Sequence, residues 1–338
     1  MEFTVAVTTG AVLCCTLALL YLRHYKNHIA SRRYCKSNVK LDGKTVIITG
    51  ANSGIGKQTA LDLARRGARV ILACRSLQKA EDAAAEIRTL TGNSEVVVRR
   101  LDLGSLQSVR EFARQINEEE KRLDILINNA GVPFAKAGAA TPENFHLVFG
   151  TNHFGHFLLT NLLLDLLKKT ALSRVITVSS KGHCHESTLD LRRQVDAGAG
   201  KNDDGTSRIL YPHLESYHHS KLANILFSRE LSRRLESTGV TSVSLHPGVI
   251  YSPIWRNIGV NWALTLCYYI CLPLIRLLFI DEVAGAQTTL YCALDESVPK
   301  FPGGYFANCA ALLPTEAAQN DELARRLWEI SCQATGLA

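Results

Sequence analysis

What most constrains this chain is a short apolar run that feeds a glycine-rich turn and then an amphipathic helix. Lys44–Thr49 (KTVIIT) reads as a buried strand, Gly50-Ala51-Asn52-Ser53-Gly54-Ile55-Gly56 follows, and Ile55–Arg66 carries a helical pattern that ends at Gly67. Only glycine turns this tightly while letting a pyrophosphate approach the backbone. The helix that follows offers unpaired N–H groups and a partial positive charge to an anion. A glycine trio alone is a weak signal, but between the first strand and first helix of a βαβ unit it is a much stronger one.

The alternation continues down the chain. Strands are expected at Arg69–Cys74, Glu95–Leu101, Leu123–Asn128, Arg174–Ser179 and Thr241–His246. Helices are expected at Leu77–Leu90, at Ser105–Glu120 behind a serine cap, over about Phe145–Lys168, and around Glu215–Glu236. Short β-branched runs separated by helices predict an α/β fold, a doubly wound parallel sheet of Rossmann type with right-handed connections. A single domain over 41–338 accommodates all of it, although the length would admit two. No repeat of solenoid period is present.

The end of the second strand discriminates between cofactors. A site that prefers NAD places Asp or Glu there to bind the ribose diol. This chain has Cys74-Arg75 and no carboxylate between Val70 and Arg75. A guanidinium can meet a 2′-phosphate through a charge-assisted, bidentate contact, so NADP(H) is the expected cofactor, with Arg75 as its selector; the alternative is a solvated arginine at a strand end.

The net charge of +7 raises the question of a nucleic-acid partner. Six Lys or Arg and no Asp or Glu lie between Arg23 and Lys40, leaving 32 basic against 31 acidic side chains elsewhere. The excess is therefore one local stretch and not a cationic face, which argues against nucleic acid. Just before it, Phe3–Leu22 runs for twenty residues without a charge, enough helix to cross about 30 Å of hydrocarbon. A cleaved signal would want its positive charge ahead of the apolar run and small residues at its end; here only Glu2 precedes the run, and it closes Leu19-Leu20-Tyr21-Leu22. The expectation is an uncleaved transmembrane anchor over 1–23 and a basic juxtamembrane linker over 24–40. The basic side, with the catalytic domain, would face the cytoplasm. The endoplasmic reticulum is the expected membrane; a secreted protein with an atypical signal peptide and a mitochondrial membrane are the alternatives. Ten cysteines without a C-x-x-C pair read as free thiols, not as a disulfide framework.

Tyr217-His218-His219-Ser220-Lys221 sets Tyr and Lys four apart, on one face of a helix. A free tyrosine has a pKa near 10, and a neighbouring ammonium is expected to lower it. Alone, this spacing is frequent by chance. It gains meaning beside the glycine loop, Asn128-Asn129-Ala130-Gly131, the Ser179-Ser180 strand end and His246-Pro247-Gly248.

With TGANSGIG, NNAG, TNHFGHF, VSS, YHHSK and HPG in this order over residues 41 to about 255, the chain resembles the classical short-chain dehydrogenases/reductases. ACRS, RLDILINNAG, GHFLLTNLLL and SKLANILFSRELSRRLE resemble their retinol-dehydrogenase-like branch; GAQTTLYCAL and GYFANC near the C-terminus also resemble members of the dehydrogenase/reductase group. The resemblance implies that Tyr217 is the general acid/base, that Lys221 binds the nicotinamide ribose and sharpens the tyrosine, and that Ser180 bonds the substrate oxygen. Ser180 is taken over Ser179 because the second serine of the pair stands at the family's catalytic position. Asn152 would hold a water that links Lys221 to solvent. Gly50, Ser53, Gly54, Ile55 and Gly56 would line the pyrophosphate loop, Asp102 would meet the adenine amino group, and Asn129 would face the adenine-ribose side. Pro247 and Gly248 count among the cofactor-binding residues. Ser252 stands where the family often has threonine, within reach of the carboxamide.

One departure stands out. Thirty-six residues separate Ser180 from Tyr217, and Asp190–Pro212 is polar and rich in Gly, Asp and Arg. An insertion there would reshape the substrate mouth without touching the tetrad. Trp262–Ile280 is nearly all apolar, broken by Pro273 and carrying Arg276. It reads as a lid or interfacial helix within 251–280, or as an ordinary buried helix. His183-Cys184-His185 is too cramped for three converging metal ligands, so no metal is expected. No G-x-S-x-G elbow supports a hydrolase. The expected function is an NADP(H)-dependent oxidoreductase that interconverts a lipophilic alcohol and its carbonyl, retinol/retinal first and a steroid or lipid aldehyde as alternatives. A membrane and a homodimer are the expected partners. The rival class is a nucleotide-binding scaffold with little chemistry, which would need none of the tetrad.

Overall fold

The computed structural model describes residues 31–136, 138–170, 172–185, 212–248 and 281–337, with Thr16, Tyr21, Arg23 and Tyr25. Apart from those four residues, the expected anchor over 1–23 and the linker up to residue 30 lie outside the described residues, as do nearly all of the Asp190–Pro212 insertion, Ser252 and the 251–280 segment. Among the described residues no helix is long and apolar enough to cross a membrane.

Eight strands form one sheet in the spatial order β3-β2-β1-β4-β5-β6-β7-β8. They are β1 Thr45–Thr49, β2 Arg69–Cys74, β3 Val96–Arg100, β4 Ile125–Asn128, β5 Arg174–Val178, β6 Thr241–His246, β7 Tyr305–Ala307 and β8 Ala310–Leu312. The first seven are parallel and β8 returns antiparallel. The order reverses between β1 and β4, and a ligand crevice opens beyond the carboxyl ends of the strands at such a switch point.

The side-chain period of two decides which residues meet which helices. Val46, Ile48, Val70, Leu72, Ile125, Ile127 and Ile176 point to one face. There they pack under α1 (Gly54–Arg65), α2 (Leu77–Thr91) and α7 (Glu282–Leu294). Ile47, Ile71, Leu126 and Val175 point to the other. Their cover is α3 (Leu106–Glu119), α4 (Gly155–Leu162), α5 (Leu164–Thr170), α6 (Pro212–Arg234) and α9 (Asp321–Thr335); a short α8 (Glu316–Gln319) precedes α9. Burying one such Ile or Leu contributes about 1.5–3 kcal/mol, which is why the central strands consist of little else.

Local signals set the helix ends. Ser105 caps α3, its hydroxyl accepting the Ser108 N–H. Asp281 caps α7 and Asn320 caps α9, which stops at Gly336 in the left-handed region. The stretch expected as one helix over Phe145–Lys168 is broken instead: an α turn at Leu147–Phe149, a π turn at Gly150–Phe154, then α4 and α5. A π turn pushes one extra residue into the helix and often marks a functional position.

From Ser31 onward, the stretch read as a linker lies along the domain. The Arg33 N–H donates to Asn308 Oδ1 (2.8 Å), Asn308 Nδ2 donates to the Ser31 carbonyl (3.2 Å), and the Cys35 N–H donates to Gln287 Oε1 (3.2 Å). Arg66 Nη1 binds the carbonyls of Ser37 and Val39. Asn308 and Cys309, both at positive φ, form the tight turn between β7 and β8. The six described cysteines are free, with Cys74, Cys292 and Cys309 buried.

Candidate active site

The phosphate loop begins where β1 ends. Gly50 and Gly54 sit at φ +67° and +58°, where a side chain is strained. A Cβ at Gly56 would lie 2.6 Å from the Gly50 carbonyl oxygen and from Asn129 Nδ2, so the first turn of α1 packs directly on the loop. Ser53 caps α1 in an extended conformation and makes no capping bond with its hydroxyl. The helix N-terminus therefore keeps its amide donors for an anion, which suits a dinucleotide pyrophosphate. The Asn129 side chain donates to the Thr49 carbonyl (2.8 Å), bracing β1 against the turn after β4. The Cys74 thiol, pushed up to about 11 by burial, lies against the Gly50–Asn52 backbone, and Arg75 follows it into solvent. Asp102 stands just beyond β3, with Oδ1 accepting the Gly104 N–H (3.0 Å).

The chemistry-bearing groups gather beyond β5 on the other side of the switch point. The two serines there divide. The Ser179 hydroxyl donates to the Lys221 carbonyl (2.6 Å), whereas Ser180 Oγ accepts the Gly182 N–H (3.2 Å) and stands within hydrogen-bond reach of the Tyr217 hydroxyl. Lys221, one turn beyond Tyr217 on α6, is 3% exposed; its Nζ lies 5.5 Å from the Tyr217 ring centroid and donates to the Val178 carbonyl (3.2 Å).

Asn152 sits in the π turn. Its Oδ1 accepts the Val132 N–H (2.8 Å), and its Nδ2 donates to the Val132 carbonyl (3.0 Å) and to Ser220 Oγ (3.0 Å). Both amide protons are thus taken, and the side chain clamps the segment after Gly131 to α6. Asn152 Oδ1 and Lys221 Nζ lie on the same side of Gly131, 3.5 and 3.4 Å from where its Cβ would stand.

Burial dominates the electrostatics. It lowers Lys221 to about 8, yet raises Tyr217 above its ordinary value, with the Ser180 bond opposing the rise. The sequence expectation was a tyrosine lowered by its lysine. In the protein, desolvation of the phenolate raises it instead, and the influence opposing the rise is the Ser180 bond.

The sequence offered His183 and His185 only as rejected metal ligands, and the structure gathers them with His218 and His246 around the two serines and the tyrosine. His183 Nδ1 donates to the Ser180 carbonyl (2.7 Å), and its ring meets Tyr305 edge-on at 5.1 Å. The Lys181 N–H donates to His246 Nδ1 (3.2 Å), and His185 stacks on His218 at 4.8 Å beside the tyrosine. Gly182 makes room for this cluster, since a Cβ there would lie 2.9 Å from His218 Cδ2 and 3.4 Å from Tyr217 Cε1. Proximity to the VSS and YHHSK phrases was the available signal. Pro247 and Gly248 follow β6 as expected, Gly248 at φ +101°.

Comparison with known proteins agrees with this geometry. The family described as short chain dehydrogenase matches residues 44–187. Retinol dehydrogenase 12 of Mus musculus is 46% identical over 306 residues, 90% of each chain. Dehydrogenase/reductase SDR family member 13 of Bos taurus is 46% identical over 303 residues, 90% of this chain and 76% of that one. A crystal structure of an uncharacterized protein from Mycobacterium Paratuberculosis superposes with a TM-score of 0.64 at 37% identity, covering 88% of this chain and 95% of its own. With a glycine loop at β1, a serine and tyrosine side by side and a buried lysine behind them, the chain belongs to the short-chain dehydrogenase family and is an oxidoreductase built for a nicotinamide cofactor.

Proposed function

We propose that this chain is a membrane-anchored, NADP(H)-dependent oxidoreductase that interconverts a lipophilic alcohol and its carbonyl, with retinol and retinal as the leading pair. The observation that carries the reading is the Ser180 hydroxyl within reach of the Tyr217 phenol, with the buried Lys221 amine on the same helix face. Arg75, exposed at the end of β2 where a carboxylate would select NAD, supports NADP(H). The names of the relatives and the apolar Phe3–Leu22 and Trp262–Ile280 stretches support a lipophilic substrate at a membrane, and the basic flank supports a domain on the cytoplasmic side, the endoplasmic reticulum being the membrane we propose.

Gly50, Gly54 and Gly56, with the open N-terminus of α1, would hold the pyrophosphate, Arg75 would meet the 2′-phosphate and Asp102 the adenine. Bound NADPH supplies a hydride to the carbonyl carbon. Ser180 and Tyr217 orient and polarise the carbonyl oxygen, and Tyr217 gives it a proton as negative charge develops. Lys221 stabilises the resulting phenolate until it is reprotonated. Asn152 keeps the Gly131–Val132 backbone and α6 in register beneath the reacting atoms. In the direction of oxidation, the same groups act in reverse.

The test is turnover of all-trans-retinal by the full chain in membranes with NADPH and with NADH, for wild type and Tyr217→Phe. The reading expects turnover with NADPH, little with NADH, and none in the variant. No turnover in either form, with NADPH affinity retained, would establish the scaffold reading instead.

A further inference from the structure

His156 takes no part in the chemistry above, yet its imidazole is wholly buried at the sheet's switch point. Its Nδ1 lies 2.9 Å from the main-chain oxygen of Asn152, and its Nε2 lies 2.9 Å from Thr49 Oγ1. A carbonyl oxygen only accepts, so Nδ1 carries the proton and Nε2 is left as an acceptor. Thr49 Oγ1 already accepts the N–H groups of Asn129 and Ala130, each at 2.9 Å. Its own proton is therefore free for Nε2, the Ile127 carbonyl being the longer alternative at 3.4 Å. Every donor and acceptor role in the chain is fixed.

The chain continues into the active site. Asn152 Nδ2 donates to Ser220 Oγ, whose hydroxyl donates to the Tyr217 carbonyl at 2.7 Å. We infer that His156 is a positioning residue: as the Nδ1–H tautomer it ties the π turn that bears Asn152 to the end of β1, and through Asn152 and Ser220 it sets where Tyr217 stands relative to the cofactor loop. The helix around Asn152 lacks regular i−4 bonding, so this imidazole replaces a restraint that a plain α-helix would have supplied. A neutral ring is required, because a proton on Nε2 would face a hydroxyl that donates to it. Burial, with Lys221 as the nearby opposing charge, pushes His156 down to about 4 and keeps it neutral.

The kinetic arm of the test rests on the reductase reading; the spectroscopic arm does not. In the kinetic arm, His156→Asn retains a donor for the Asn152 carbonyl, whereas His156→Gln reaches toward Thr49 instead. Both are polar and tolerable for folding, which is checked by thermal melting. With NADPH and all-trans-retinal, the Asn variant is expected within about threefold of wild-type kcat and the Gln variant down by about thirtyfold, with KM for NADPH moved less than about twofold in both. Equal kcat values for the two variants, or losses that simply follow the melting temperature, would overturn the proposal. In the spectroscopic arm, ¹⁵N-histidine NMR compared between wild type and the Asn variant is expected to assign His156 as the Nδ1–H form with no titration between pH 8 and 5. A ring protonated at Nε2, or one that titrates near 6.5, also overturns it. If wild type turns over no retinal, the substrate reading fails, and the NMR result alone then decides whether His156 ties the π turn to the end of β1.

Discussion

The hydroxyl of Ser179 donates to the main-chain carbonyl of Lys221 at 2.6 Å, which fastens the end of β5 to the helix that carries Tyr217 and Lys221. The next residue, Ser180, turns its oxygen toward Tyr217. Adjacent serines thus do different work, and substitution should separate them. Ser179→Ala should cost about 1 kcal/mol of stability, a buried carbonyl losing its donor. Ser180→Ala should leave the melting temperature nearly unchanged and lower kcat by about 10²-fold. Melting curves and steady-state rates on both variants check this.

Arg75 should decide between cofactors. Removing its guanidinium deletes the contact expected for a 2′-phosphate and leaves the rest of the loop intact. Arg75→Ala should reduce the NADPH-over-NADH preference in kcat/KM by about tenfold, chiefly through a higher KM for NADPH. Equal losses with both cofactors would remove Arg75 from the selector role.

The lysine predicts a pH limb. Burial lowers Lys221 to about 8 in the folded protein, so its positive charge is present below that pH and fades above it. The rate of carbonyl reduction should therefore fall as pH rises through about 8, well before the tyrosine, which burial holds high, loses its own proton. A pH–rate profile of kcat measured from 6 to 10 shows whether the limb lies there.

Gly182 has a steric duty. A methyl group at this position would stand 2.9 Å from the His218 ring and 3.4 Å from the Tyr217 ring. Gly182→Ala should displace these rings and lower kcat by about tenfold or more, with cofactor affinity preserved because the phosphate loop is remote in the chain. Cofactor fluorescence titration alongside turnover separates the two effects.

Acid should unfold the protein through its histidines. Burial lowers His153 to about 3 and both His156 and His246 to about 4. In the unfolded chain all three take up protons near 6.5. Between these limits the unfolded state binds more protons, so stability is full above about 6.5 and declines as pH falls toward 4. Denaturant titrations at pH 7.5, 6, 5 and 4 should show the midpoint dropping in that window.

Much of this architecture is legible in the residues. Val46-Ile47-Ile48 and Val70-Ile71-Leu72 could only be strands buried on both faces, and all six side chains are fully buried. Gly50 and Gly54 announced a left-handed turn, and Ser105 its cap. The π turn at Gly150–Phe154 was not legible, because a stretch as short and mixed as TNHFGHF carries no pattern that changes when one residue is looped out. The β7–β8 hairpin was also missed, being two three-residue strands on a two-residue turn that join the sheet only through β6, about sixty residues earlier in the chain. Residues 31–40 read as a polar tether because nothing in their composition reveals that Asn308 and Gln287 would bind their backbone.

Periodicity and steric freedom, which are properties of neighbouring residues, made the first six parallel strands and the phosphate turn legible from the residues alone. Long-range packing set what they could not: the clamp that the Asn152 side chain makes, and a tyrosine whose acidity falls on burial. Those outcomes depend on water being excluded around Tyr217, Lys221 and His156 by elements far apart in the chain, and local sequence carries no record of that exclusion.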